Sequence, residues 1–128
     1  MDTDGVSYRF MGKETPEEGA SVRFATAARQ LSVNVLPTQT YYTFECGPVL
    51  LDVVFTAPLL LDDLDRMSMP VNYISWQVRS ADQKKHQVRV SVEAFSSLAV
   101  NTEDQAVMVE REVENGISYL KTGTAEQA

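Results

Sequence analysis

The sequence predicts an all-β protein, an antiparallel β-sandwich of about seven or eight strands. Three observations carry that prediction. Residues 86–95 alternate cleanly, with Val88, Val90, Val92 and Ala94 on one side and Gln87, Arg89, Ser91 and Glu93 on the other. Asn115-Gly116 joins two β-prone runs, 107–114 and 117–122. Both central residues of a tight hairpin turn must adopt positive φ, which Asn-Gly does at low cost. Val49, Leu50, Leu51, Val53, Val54 and Phe55 form an apolar run broken only by Asp52, as expected of a strand covered on both faces.

The remaining elements follow in order. After Asp4-Gly5, Val6, Tyr8 and Phe10 alternate with Ser7, Arg9 and Met11, which reads as a strand. Residues 12–20 carry Lys, Glu, Pro and Gly and read as a loop, the chief candidate for interior flexibility. Within 21–36, Ala25 to Leu31 could support a helical turn or two. Val33, Val35 and the terminating Pro37 favour a strand in the second half. The Tyr- and Thr-rich run 40–46 leads through Gly47-Pro48, a turn signal, into the apolar run that Pro58 ends. Residues 59–69 form a second long connection bearing Asp62, Asp63, Asp65 and Arg66. In the run 72–80, Ile74, Trp76 and Val78 share one face and Ser75, Gln77 and Arg79 the other; the polar residues 81–85 make the bend that follows. No helix, internal repeat or low-complexity tract is expected.

Size and charge bound the function. At 128 residues the chain reads as a single β-sandwich domain over 1–128, or part of one. The net charge of −7 repels nucleic-acid phosphates, so no nucleic-acid partner is expected. No apolar run approaches the roughly 20 residues of a membrane span. Asp2, Thr3 and Asp4 after Met1 are not a signal peptide, although a segment cut from the interior of a precursor would begin in the same way. The single Cys46 allows no internal disulfide.

The residues that could carry chemistry are few. Asp62, Asp63 and Asp65 offer oxygen ligands for a hard cation such as Ca²⁺, but the stretch lacks the loop glycine and distal Glu of a calcium hand. A solvated acidic loop is the favoured reading. His86 follows two lysines, has no nucleophile motif around it, and reads as an exposed strand-edge residue. Cys46, with no helix near it to lower its pKa, reads as a small buried or half-buried apolar residue. Trp76 with Tyr73, Tyr41, Tyr42 and Phe44 could form an aromatic platform for a sugar. Trp76 shares its face with Ile74 and Val78, which favours the core. Asp and Glu are plentiful, yet no pair is assignable as acid and base without a fold to place it. On these residues no catalytic group, no cofactor and no metal is assigned.

The phrasing of the sequence adds a resemblance. Thr43-Phe44-Glu45-Cys46-Gly47-Pro48-Val49, the run from Asp52 to Pro58, and Pro70-Val71-Asn72-Tyr73-Ile74-Ser75 resemble the N-terminal region of bacterial and fungal glutaminases of the glutaminase A type. There "TF-x-x-GPV" leads into "V-x-F-x-x-P", a "D-L" loop and "P-x-x-Y-x-S". The stretch from Asp4 to Gly12 is similar to the strand before that region, so the resemblance covers most of the chain. These motifs are structural. The resemblance implies an N-terminal β-sandwich followed by a C-terminal helical toroid, in a secreted or periplasmic enzyme that hydrolyses L-glutamine to L-glutamate and ammonia. Catalysis would lie in the helical part, so no catalytic residue carries over. It also implies a sandwich running on past Ala128, hence a truncated domain whose unpaired edge strand invites a second copy.

The expected function is therefore a non-catalytic module packing against the helical catalytic domain of the same polypeptide. Leu50, Val54, Asp62, Asp63 and Asp65 are the candidate contacts. The rivals are a carbohydrate-binding accessory domain, which requires Trp76 or the Tyr41/Tyr42 pair to be exposed, and an extracellular adhesion or assembly module.

Overall fold

The computed structural model describes residues 1–12, 25–102 and 104–125. Most of the loop expected over 12–20, and the start of the 21–36 run, lie outside the described residues. The chain divides into two compact units, Met1–Ser91 and Val92–Ala128.

Among the described residues, the first unit holds two four-stranded sheets, one short and one long. The short sheet has the order β3-β2-β1-β8, from β1 (Asp2–Thr3), β2 (Val6–Arg9), β3 (Thr26–Ala27) and β8 (Val88–Arg89). The long sheet has the order β4-β5-β6-β7, from β4 (Arg29–Val35), β5 (Gln39–Cys46), β6 (Val49–Thr56) and β7 (Tyr73–Ser80). All its pairings are antiparallel. β5, β6 and β7 run in continuous register, with Thr43 opposite Asp52 and Val53 opposite Trp76. β4 breaks its register with β5 between Gln30 and Ser32.

Alternation on β5 and β6 explains where the core sits. Phe44, Cys46, Val49, Leu51 and Val53 point to one face and are buried. Met1, Tyr8, Phe10, Val88 and Val90, on and beside the short sheet, pack onto that cluster. Phe10 meets Phe44 at 5.7 Å between ring centroids, and Tyr42 stacks on Phe44 at 5.8 Å. This is the sandwich-like, mostly antiparallel architecture expected from the sequence. The apolar run 49–55 is indeed a central strand, but its two faces differ. Leu50 and Val54 lie on the far side and are half-buried.

Two expectations are corrected. The run 86–95 is not one long strand: only Val88–Arg89 pairs, with β1. Its alternation correctly assigns Val88 and Val90 to the core, while Val92 is exposed. Periodicity reports which way side chains face, and the ladder needs a neighbour long enough to pair with. Helix is also not wholly absent, since α1 (Leu64–Met67) is a single turn and Ser96–Ala99 a 3₁₀ turn.

The turns follow local chemistry. Gly47 lies at φ +65°, and a Cβ there would come within 2.5 Å of Tyr8 Oη, so glycine lets Tyr8 close over the β5–β6 turn. The second unit is built on the hairpin of β9 (Val107–Glu114) and β10 (Ile117–Thr124). It turns on Asn115 and Gly116 at φ +50° and +80°, as expected of Asn-Gly. Lys121 bridges to Glu112 across it at 2.8 Å.

Candidate functional site

Among the described residues, the short sheet is too short to cover the long one. It covers the end of the inner face around Cys46, Val49 and Leu51. At the other end, the cross-strand row Val33, Tyr42, Val53, Trp76 and the next row Val35, Thr40, Phe55, Ile74 extend beyond it. There Val33, Val35, Ile74 and Trp76 are exposed, and Trp76 keeps 51 % of its surface in solvent. The expectation that Trp76 is a core residue is overturned. Its face was assigned correctly, but nothing among the described residues of the short sheet reaches it.

The connection between β6 and β7 leaves from this same end, since Thr56 pairs with Tyr73. It displays Leu59, Leu60, Leu61, Leu64 and Met69, all exposed, with Leu61 at 73 % and Leu64 at 67 %. Leu59, Leu60 and Leu61 line a shallow depression of about 370 Å³ with Asp62, Asp63 and Arg66. Apolar residues this large are seldom left in water together unless they serve as an interaction surface.

The three aspartates are separated by function. Asp63 is the N-cap of α1: its Oδ1 accepts the Arg66 N–H at 3.0 Å and its Oδ2 lies 3.2 Å from Arg66 Nε. Asp65 sits in the first turn of α1, where an acidic side chain suits the helix dipole, and Asp62 lines the depression. Among the described residues, no group of three or more His, Cys, Asp or Glu is placed to hold a metal ion.

Leu50 and Val54 face the opposite side of the long sheet, in a polar setting. Between them, Arg79 donates to Asp52 Oδ2 through Nε at 2.7 Å and to Oδ1 through its Nη2 at 3.2 Å. Thr43 Oγ1 adds a bond to Oδ1 at 2.8 Å. The Arg79 guanidinium holds the Asp52 carboxyl below its ordinary pKa. Leu50 and Val54 are half-buried on this hydrogen-bonded face, opposite the core.

Residues 38–128 match the family model described as Domain of unknown function (DUF5127). The chain belongs to the DUF5127 family. The match takes in β5, β6, the leucine-bearing connection, β7 and the whole second unit, so the candidate surface lies almost entirely within the family region. No curated protein and no solved structure matches the chain.

One constellation escaped the sequence reading. His86 is not an exposed edge residue: its side chain is only 9 % exposed. Its Nδ1 lies 2.6 Å from Asp4 Oδ2 and its Nε2 lies 2.7 Å from Asp82 Oδ1. Asp4 and Gly5, at φ +49° and +86°, form the two-residue turn of the β1–β2 hairpin, and that turn aims the Asp4 carboxylate. The Asp-Gly pair was the available signal. Hydrogen bonds to both aspartates, Asp82 first, raise the His86 pKa, and the bond from His86 is the chief cause of the low pKa of each carboxyl. Both ring nitrogens face carboxylate acceptors, so when the imidazole is protonated it donates from both and keeps no lone pair to act as a base. Cys46 is fully buried, and burial pushes its thiol pKa up, away from the reactive thiolate.

Proposed function

We propose that this DUF5127 chain is a non-catalytic β-sandwich module of a secreted or periplasmic glutaminase-type hydrolase, whose parent reaction converts L-glutamine and water to L-glutamate and ammonia. It packs against a helical catalytic domain of the same polypeptide. The observation that carries this reading is the joint exposure of Leu59, Leu60, Leu61, Leu64 and Met69 beside the bare end of the inner sheet face. Burying such side chains is worth about 25 cal/mol per Å² of apolar area, enough to hold a partner domain in place. The acidic residues Asp62, Asp63 and Asp65 give that contact a polar rim. The chemistry of His86 and Cys46 supports a module without a nucleophile–base pair of its own.

The test is ammonia release from L-glutamine by this chain and by the complete polypeptide that contains it. Activity in the complete polypeptide and none in this chain is expected. Activity in this chain, or none in either, overturns the reading.

A second reading, a carbohydrate-binding accessory domain, is favoured by exposed aromatic rings: Trp76 on the inner face, and Tyr41 and Tyr73 on the outer face of the long sheet. The two tyrosines flank Gln39 and Thr56, whose side chains bond each other at 3.3 Å, and Gln39 also accepts from the Tyr41 hydroxyl at 2.6 Å. Flat rings beside hydrogen-bonding groups suit a sugar face. Binding of a soluble oligosaccharide that Tyr41→Ala abolishes would put this reading first.

A further inference from the structure

We propose that β7 is a self-association edge, pairing antiparallel with β7 of a second copy about a two-fold axis at Trp76. This deepens the edge-pairing expectation by naming the strand, the register and the contacts. Among the described residues, the long sheet has two outer strands, β4 and β7. β4 carries a register break between Gln30 and Ser32, which disrupts a flat template. β7 pairs along all eight of its residues with β6 without a shift, and among the described residues no strand pairs on its other side. It contains no Pro, Gly or Lys, and its one charged residue, Arg79, is engaged by Asp52. None of the devices that commonly protect an edge is present on it.

The hydrogen-bonding phase of β7 fixes which groups are offered. The Ala81 N–H donates to Pro48 O at 2.8 Å, continuing the β6–β7 register. In an antiparallel ladder such pairs alternate. The odd-numbered residues of β7 therefore bond to β6, and Ile74, Trp76 and Val78 turn their N–H and C=O groups to the free edge. Side-chain faces match across a pair when the two-fold passes through a residue, and of those centres Trp76 and Gln77, at the middle of β7, give the longest overlap. Centred on Trp76, Ile74 faces Val78 of the second copy, Ser75 faces Gln77, Tyr73 faces Arg79, and the two indoles meet. Apolar meets apolar, polar meets polar, an aromatic ring meets a cation, and no like charges oppose. Centred on Gln77, Ile74 would face the hydroxyl of Ser80 and Tyr73 would lose its cation. The Trp76 register is the complementary one, and it unites the two bare inner-face patches on one side of an eight-stranded sheet.

The test is sedimentation velocity of the full chain across the micromolar range, with Ser75→Lys/Gln77→Lys. Both positions lie on the outer, exposed face, so the fold is retained, and each lysine meets a lysine of the second copy. The expected result is a dimer whose dissociation constant rises at least about tenfold in this variant. Ser32→Lys/Asn34→Lys on β4 should leave the dimer unchanged. Register is read by oxidation. Ser75→Cys/Gln77→Cys should cross-link two copies, because those residues form a close, non-hydrogen-bonded pair, while Gln77→Cys alone should not. A chain that stays monomeric, a dimer sensitive to the β4 lysines instead, or efficient cross-linking of Gln77→Cys alone would each overturn the proposal. None of these substitutions touches the leucine-bearing connection, so this proposal and the packing role fail separately.

Discussion

His86 Nδ1 stands 2.6 Å from Asp4 Oδ2, a bond that spans 82 positions of sequence and ties the β1–β2 turn to the segment leading into β8. Asp4 Oδ1 also accepts the Gln87 N–H at 2.9 Å, so one carboxylate fixes both the ring and the backbone beside it. On the other side, Asp82 is held by the Lys84 N–H and the Ser80 hydroxyl, each at 3.0 Å. The clamp closes the short sheet over the core.

Its pH dependence has a definite sign. His86 has a pKa raised above 6.5 in the folded chain, so its contribution is complete below 6.5 and is lost as pH rises through the folded value. Asp4 and Asp82 have pKa values lowered from 3.8, so their contribution is present above 3.8 and is lost as pH falls through their folded values. Thermal unfolding across pH should show a plateau between these limits and a decline on the alkaline side. His86→Gln should remove that alkaline decline. An NMR titration of this single histidine should give a midpoint above 6.5; a midpoint at or below it contradicts the clamp.

Gly47→Ala should destabilise the fold by about 1–2 kcal/mol from the left-handed backbone alone, with more from the contact at 2.5 Å with Tyr8 Oη. Tyr8→Phe in the same chain should recover part of the loss and leave the backbone share. Urea unfolding of the single and double variants measures both. An equal cost with and without the Tyr8 hydroxyl would show that the ring simply moves aside.

Thr3→Val should stabilise the protein. Thr3 is 2 % exposed, and its hydroxyl has no hydrogen-bond partner among the described residues. Valine keeps the β-branched shape and removes a polar group whose burial costs about 1–3 kcal/mol when unpaired. A fall in the urea midpoint would mean that the hydroxyl is satisfied after all.

Much of the long sheet was legible because its signals are local. Gly47-Pro48 and Asn115-Gly116 mark turns by backbone chemistry, and alternation assigned the correct faces to Ile74, Trp76 and Val88. What stayed hidden depends on distant partners. β1, β3 and β8 are two residues each, too short to leave a pattern. Whether Trp76 is covered depends on the length of the opposite sheet. The role of His86 depends on Asp4 and Asp82, which no spacing rule links to it. The connection over 59–69 was read through its aspartates, although the consecutive Leu59, Leu60 and Leu61 were the stronger sign of a surface.

The proposed packing role is tested most directly by mixing this chain with a separately expressed remainder of its polypeptide, the proposed helical catalytic domain, and titrating the association by calorimetry. A one-to-one complex is expected, and Leu61→Asp/Leu64→Asp should weaken it by tenfold or more, a loss of about 1.4 kcal/mol, while leaving the unfolding of the chain unchanged. The absence of any complex, or one that the two aspartates leave intact, would contradict the role assigned to the leucine-bearing connection.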